Sequence, residues 1–215
     1  MEKNLILDPQ APAYWREACE HLSDVHPVWL DLIQRHSQRA IRSRGAPYET
    51  LLRSLVGQQI SVKAADAVWT RLMAQLSGVA DSQKLLALAD EALRATGLSW
   101  QKVAYARELS EFDQQGYLSL ALLDGLDDEA CTRHLCQVKG IGPWTAQMFL
   151  MFGLLRPDVW PVADLGVQKA ISRQFFNGDP IGPKEALQFG EKLRPWRTVA
   201  AWYLWRSLDP TVVDY

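Results

Sequence analysis

The chain has 215 residues, of which 48% are hydrophobic, enough for one large core or for two small lobes that share a cleft. Charged residues make up 22%, the formal net charge is -2 and the isoelectric point is about 6.1. These values argue against a strongly basic nucleic-acid binder, but not against one that grips through backbone N–H groups and a few local cations. The sequence contains no apolar stretch long enough to cross a membrane and no signal peptide, so we expect no membrane contact.

The pattern of apolar residues and helix-opening residues predicts helices along the whole chain. Prolines at a first turn and small polar residues at an N-cap mark where each helix begins. The predicted helices are 13–22, 27–36, 47–59, 62–76 capped by Ser61, two short helices capped by Asp81 and Asp90, 100–114 capped by Ser99, one from Asp127 to about Gln137, 144–152 after Pro143, and helices opened by Pro183 and Pro195. No run of alternating β-branched residues argues for a sheet, so the predicted fold class is all-α.

Three cysteines, Cys19, Cys131 and Cys136, form no CxxC pair, which favours a reducing cytosolic compartment. The grouping of Cys131, His134 and Cys136 resembles a metal site, but no second ligand pair completes a tetrahedral set. We therefore interpret these side chains as helix packing residues.

The most informative segment, 135–171, begins with a glycine-bearing turn between two helices. Gly140 and Gly142 flank Ile141, and Pro143 starts the following helix. Unpaired N–H groups at such a helix end can donate to a phosphate oxygen, and Lys139 adds a cation nearby. A plain αα-hairpin is the alternative interpretation. Further along, Asp164 precedes LGVQKAI, the position of an ordinary N-cap aspartate.

Three segments in the same order resemble the helix-hairpin-helix DNA glycosylases, most closely the bacterial 3-methyladenine DNA glycosylase II family. They are LLRSLVGQQISVKAADAVWTRL, then VKGIGPWTA followed by PVADLG, and finally RPWRTVAAWYLWRS. The resemblance runs from about Tyr48 to Leu208. It implies two helical lobes with a cleft between them, formed by two interleaved subdomains of a single unit over residues 1–215, with the hairpin at 128–152.

The resemblance makes Asp164 the catalytic carboxylate, which would stabilise the oxocarbenium sugar and guide a water to C1′. Only Asp158 is a nearby candidate for a second acid. An N-alkylated purine is already cationic and leaves without one, so a single carboxylate fits that substrate. Trp144 stands where the bifunctional relatives place a lysine nucleophile, which predicts a monofunctional enzyme that leaves the strand uncut.

The resemblance also implies a base pocket walled by Trp144 and Trp196, whose ring faces would attract a cationic base. Met148 and Leu165 occupy pocket positions where relatives often have aromatic residues. For Trp144, core filling is the competing interpretation. Trp202 and Trp205 lie at helical spacing, which favours packing.

Two turns are implied to contact DNA. In relatives the turn at Gln58, Gln59 and Ser61 enters the minor groove, so we predict that Gln59 is a polar plug, with a plain helix junction as the alternative. The hairpin would bind a phosphate through the segment around its turn. The predicted residues there are Lys139, Gly140, Ile141, Gly142 and Thr145. Further cations for a local basic face would be Arg133, Lys63 and Lys169.

Relatives hold a monovalent cation through hairpin carbonyls, which here would be those of Cys136, Val138 and Ile141, binding Na⁺ or K⁺. No other cofactor is expected, and no iron–sulfur cluster, because no cysteine follows Cys136. The expected partner is double-stranded DNA with damaged bases, bound by a monomer in the bacterial cytosol or nucleoid. The competing functions are a non-catalytic helix-hairpin-helix binding module, a glycosylase-lyase and a helical scaffold. The preferred damaged base stays open.

Overall fold

The computed structural model describes residue 5, residues 7–43 and residues 45–208. In these residues the chain is helical and forms no strand, which confirms the predicted all-α class. The helices are α1 (Trp15–Val25), α2 (Pro27–Arg35), α3 (Pro47–Gly57), α4 (Val62–Gln75), α5 (Ser82–Ala87), α6 (Asp90–Ala95), α7 (Trp100–Gln114), α8 (Leu120–Asp124), α9 (Asp128–Leu135), α10 (Pro143–Phe152), α11 (Leu165–Phe175), α12 (Pro183–Glu191) and α13 (Arg197–Leu208). Within the described ranges, none of them is both long and apolar enough to span a bilayer.

Most predicted caps form as expected, because a side-chain oxygen at the N-cap accepts an N–H bond from the first turn. Ser61, Asp81, Ser99 and Asp127 each cap the helix that follows. Asp90, which was also predicted to be an N-cap, is not one.

Asp90 is the first residue of α6, after the N-cap Ala89, and its carboxylate pairs with Arg107. The prediction that Pro195 opens the last helix was also wrong, since α13 begins at Arg197. The short helix α8 was not predicted.

The chain divides into two compact units. The terminal unit comprises residues 1–43 and 150–215, and the inserted unit comprises residues 44–149. The boundary falls within α10, so this helix contributes its first turns to the inserted unit and its last turn to the terminal unit.

The terminal unit is built around α13, which packs against α1, α2 and α11. Seven consecutive residues of α13, from Thr198 to Leu204, are buried, as expected for a helix surrounded by neighbours. Trp202 is one of them and meets the ring of Trp15 edge-on, with centroids 5.4 Å apart. The packing role predicted for Trp202 agrees with this contact.

The inserted unit is organised by α7, which packs against α3, α5 and α6. Two contacts show that α7 runs antiparallel to α3. Near the start of α7, Lys102 bonds the carbonyl of Val56 at the end of α3. Near its end, Ser110 bonds the hydroxyl of Tyr48 at the start of α3, with an O···O distance of 2.6 Å.

The buried carboxylate of Asp8 should make the stability of the terminal unit depend on pH. The N–H of Gln10 and the guanidinium of Arg42 both donate to it, and these bonds lower the pKa of Asp8. A lowered carboxyl pKa stabilises the fold above about pH 4, the ordinary pKa of aspartate, and this stabilisation is lost as the pH falls through the folded value. We expect Asp8→Asn to lower the melting temperature at pH 7 and to cost progressively less toward pH 3. A deficit that stays constant between these pH values would contradict this role.

Candidate functional site

Asp164 is the N-cap of α11, and two donors hold its side chain. Its Oδ1 accepts the backbone N–H of Val167 at 2.9 Å and the indole N–H of Trp205 at 2.9 Å. The first bond is the predicted cap, and it places the carboxylate at the positive end of the helix dipole. The second bond comes from α13. Together they fix the orientation of a carboxylate that is still half-exposed.

Gly166 leaves the space that this arrangement needs. A Cβ atom at Gly166 would lie 3.0 Å from Oδ1 of Asp164 and 3.1 Å from Cδ1 of Trp205. Both distances are shorter than ordinary van der Waals contact. The glycine therefore lets the indole of Trp205 approach the carboxylate.

Sequence reasoning assigned Trp205 to packing and missed its contact with Asp164. The ring does pack, since it stacks on Phe152 with centroids 6.1 Å apart and an interplanar angle of 25°. Its N–H nevertheless serves the predicted catalytic group. A hydrogen bond between side chains 41 residues apart leaves no signal in helical spacing.

Removal of this one donor is expected to lower catalysis while the fold stays intact. Trp205→Phe keeps an aromatic ring against Phe152 but takes one bond from Asp164. A hydrogen bond to a charged group contributes about 1.5 kcal/mol or more, so we expect base release about tenfold slower under single-turnover conditions. Trp202→Phe, which changes a buried tryptophan on the same helix, is the matched control. A wild-type rate for Trp205→Phe would remove the positioning role.

Trp196 lies in the segment before α13 and stacks on Tyr14, with centroids 5.8 Å apart and an interplanar angle of 17°. The hydroxyl of Tyr14 in turn donates to the carbonyl of Leu155 at 2.9 Å. Trp196 is half-buried, so the stack holds it in place and leaves part of the ring accessible.

Asp158, the nearest candidate for a second acid, belongs to an ion-pair network. Its carboxylate accepts from Arg197 Nε at 2.7 Å and from Arg194 Nη1 at 2.8 Å. Arg197 follows Trp196 directly, so the network fixes the segment that carries this ring. The structure thus gives Asp158 a supporting role for the RPWR segment, with two cations on its carboxylate.

The hairpin turn joins α9 to α10 in the inserted unit. Gly140 has φ +89°, and a Cβ atom there would overlap the ring of Tyr105, with Cγ only 2.8 Å away, so neither the backbone nor the space admits a side chain. Gly142 differs, because a Cβ atom there meets nothing within 4 Å. Of the two glycines, only Gly140 is required by the turn itself. Ile141 between them is buried, so its side chain is not accessible to a phosphate.

For Thr145 and Lys139, the structure limits the phosphate contacts that the sequence predicted. The side chain of Thr145 is buried, so it can offer a phosphate only its backbone N–H, in the first turn of α10. Lys139 is exposed, but its ammonium group lies 3.5 Å from a carboxylate oxygen of Glu108. Arg133 likewise pairs with Glu129. Lys139 and Arg133 therefore add less positive charge than the sequence implied.

The turn between α3 and α4, residues 58–61, is called the wedge loop below. Gln59 is exposed at φ +57°, a left-handed conformation that is uncommon for residues other than glycine. The side chain of Gln58 donates to the carbonyl of Gly140 at 2.8 Å, and Ser61 Oγ accepts the N–H of Ala64 as the cap of α4. Gln59 and Ser61 are both exposed, but the hydroxyl of Ser61 is used in the cap of α4, which leaves Gln59 as the candidate plug.

The remaining pocket candidates differ in exposure. Trp144, in the first turn of α10, is 42% exposed, and Leu165, in the first turn of α11, is 78% exposed. Met148 lies one turn after Trp144 and is only 9% exposed. Trp144 and Leu165 thus each present accessible surface within their own unit, whereas Met148 is largely enclosed on α10.

A family model described as the HhH-GPD superfamily of base excision DNA repair proteins matches residues 52–195. This match covers more than half of the chain. The chain belongs to the HhH-GPD superfamily. The prediction of a helix-hairpin-helix glycosylase family, made from three short segments, is confirmed.

Individual relatives agree with this assignment. The protein YfjP of Bacillus subtilis is 33% identical over 169 residues, which are 75% of this chain and 59% of YfjP, so the chain spans somewhat more than half of that relative. A DNA-3-methyladenine glycosidase from Bacillus halodurans has a TM-score of 0.83 and 31% identity, covering 94% of this chain and 92% of its own. The 3-methyladenine DNA glycosylase Mag1 of Schizosaccharomyces pombe, solved in complex with abasic DNA, has a TM-score of 0.78 and 29% identity, with coverages of 93% and 98%.

Proposed function

We propose that this protein is a monofunctional DNA glycosylase that flips alkylated purines out of duplex DNA and hydrolyses their N-glycosidic bond. The observation that carries the proposal is the carboxylate of Asp164, held at the N-terminus of α11 by Val167 and Trp205. The names of the Bacillus halodurans and fission yeast relatives support 3-methyladenine as one substrate.

A single oriented carboxylate is sufficient for this reaction on a cationic base. The bond from C1′ to an N-alkylated purine breaks as positive charge moves from the base to the sugar. Asp164 would stabilise that developing charge and orient a water molecule toward C1′. Because the leaving base departs as a neutral molecule, no protonated acid is needed. The pairing of Asp158 with two arginines agrees with a site that has no separate acid.

Each unit carries a tryptophan whose ring face would attract a positively charged base. A tryptophan face attracts a cation by about 0.5–2 kcal/mol, depending on how far the pair is removed from water. Trp144 has an accessible ring, and the stack on Tyr14 holds Trp196 in a defined orientation. Leu165, next to Asp164, would add an apolar contact to the base.

The protein would bind DNA largely through backbone N–H groups and not through a surface of net positive charge. The open space at Gly142 lets a phosphate approach the first turn of α10, whose N–H groups point out of the helix end. Gln59 in the wedge loop would fill the gap that the flipped base leaves. Mag1, with its bound abasic DNA, supports a duplex as the partner.

We further propose that the carbonyls of Cys136, Val138 and Ile141 bind Na⁺ or K⁺ between the hairpin and a phosphate. The donor set fits, since carbonyl oxygens suit such ions and each has two lone pairs. The carbonyl of Val138 uses one of these for the N–H of Ile141 at 3.0 Å. We expect tighter duplex binding in K⁺ than in tetramethylammonium at equal ionic strength. Equal affinity in the two salts would rule out the site.

The proposal is tested by incubating the wild type with methylated duplex DNA and separating free bases by chromatography, with strand nicking scored on a gel. Free 3-methyladenine or 7-methylguanine with an unbroken strand is the expected result, because Trp144 stands where a lyase would need lysine. Nicking that accompanies base release would indicate a glycosylase-lyase. Binding without release from alkylated, deaminated or oxidised DNA would indicate a non-catalytic module.

A further inference from the structure

Lys102, in the first turn of α7, bonds the backbone on both sides of the α3 C-terminus. Its ammonium group donates to the carbonyls of Val56 and of Gln58, both at 2.7 Å. Carbonyls at a helix end lack intrahelical partners and carry the negative end of the dipole, so a cation stabilises them. One side chain thus fixes the last turn of α3 and the first residue of the wedge loop.

The next residue, Gln59, has the left-handed backbone at φ +57°. That conformation is strained for a residue other than glycine and persists only where the surrounding structure enforces it. Lys102 holds the peptide that precedes Gln59. On the following side, Ser61 caps α4. The backbone conformation of Gln59 is therefore held by one anchor on each side.

The same face of α7 also supports the hairpin turn. Tyr105 lies under Gly140, and Glu108 accepts the backbone N–H of Lys139 at 3.0 Å. Lys102, Tyr105 and Glu108 follow one another at intervals of three residues, so they share one side of the helix. The side chain of Gln58 completes the connection by donating to the carbonyl of Gly140.

We infer that Lys102 is a positioning residue that shapes the wedge loop for insertion of Gln59, and that α7 holds this loop and the hairpin turn in register. The inference rests on the proposed function, because it takes Gln59 as the plug. It gives a role in damage recognition to a lysine that need not touch DNA. It also explains why the plug can be a flexible polar residue, since the backbone beneath it is fixed.

The test is a double-mutant cycle of Lys102→Met and Gln59→Ala, read out as discrimination between two duplexes. Discrimination is the ratio of the Kd for undamaged duplex to the Kd for the same duplex with a tetrahydrofuran abasic analogue. A simple loss of folded protein weakens both affinities equally and leaves this ratio unchanged. Lys102→Met keeps the length of the side chain and removes its three donors. We expect it to lower the ratio about five- to tenfold.

In the Gln59→Ala background, Lys102→Met should change the ratio less than twofold, because the residue it positions is gone. Lys102→Arg, which keeps a cationic donor, should recover most of the ratio. Lys84→Met is the matched control, since Lys84 also donates to a helix-end carbonyl, that of Leu76, but lies away from the wedge loop. It should leave the ratio at the wild-type value.

Three results would overturn the inference. These are an unchanged ratio in Lys102→Met, an equal loss in both backgrounds, and an unchanged ratio in Gln59→Ala. The readout needs no catalysis, so it separates two failures. Normal discrimination without base release would contradict only the proposed glycosylase activity. The role of Lys102 would still be decided by the double-mutant cycle.

Discussion

Asp164→Asn is expected to slow release of 7-methylguanine at least about 100-fold in single-turnover assays, with little change in affinity for duplex DNA. Asparagine has the same shape, and its amide oxygen can still accept from Val167 and Trp205. The geometry around the site should therefore survive. What is lost is the negative charge that would stabilise the oxocarbenium ion and orient the water.

Asp81→Asn provides the control for this substitution. Asp81 is also an N-cap aspartate, whose Oδ1 accepts the N–H of Lys84 at 2.9 Å, but it lies at α5. The same chemical change there should have a similar effect on stability and none on base release. If Asp164→Asn releases bases at the rate of Asp81→Asn, Asp164 is only a cap.

Gly140→Ala is expected to destabilise the protein by about 2–4 kcal/mol and to abolish measurable duplex binding. Two costs add here, since alanine is strained at φ +89° and its Cβ would overlap the ring of Tyr105. Relief of the clash must move either the hairpin turn or Tyr105 on α7. Urea unfolding and fluorescence anisotropy with a labelled duplex measure the two effects.

Substitutions at two other glycines separate the backbone cost from the cost of the clash with Tyr105. Gly116 has φ +80°, and a Cβ atom added there would meet nothing within 4 Å, so Gly116→Ala reports the backbone cost alone. Gly142→Ala meets no protein atom and should fold normally, yet should weaken DNA binding if a phosphate approaches that position. A loss of stability in Gly140→Ala no larger than in Gly116→Ala would contradict the role of Tyr105.

The sequence predicted the features that depend on neighbours along the chain. The caps at Ser61, Ser99, Asp127 and Asp164 form as predicted because a cap needs only its own side chain and the next turn. The three family segments were recognisable for a similar reason, since each is a short continuous run. The cap predicted at Asp90 does not form, because the carboxylate of Asp90 pairs instead with Arg107, which is 17 residues further along the chain.

The features that sequence reasoning missed depend on contacts between distant segments. Trp205 reaches Asp164 from 41 positions away, and Gln58 reaches Gly140 from 82 positions away. Periodicity indicates that a side chain is on an inward face but not which group it meets there. The burial of Thr145 and the pairing of Lys139 with Glu108 were hidden for the same reason.

Release of a cationic and of a neutral base from otherwise identical duplexes tests the role of Asp164 directly. Single-turnover release of 7-methylguanine and of hypoxanthine by the wild type would be measured at saturating enzyme. A site with one carboxylate and no acid predicts much faster release of 7-methylguanine, whose ring already carries the charge. Equal or faster release of hypoxanthine would require a proton donor for the leaving base, and would contradict the single-carboxylate mechanism proposed for Asp164.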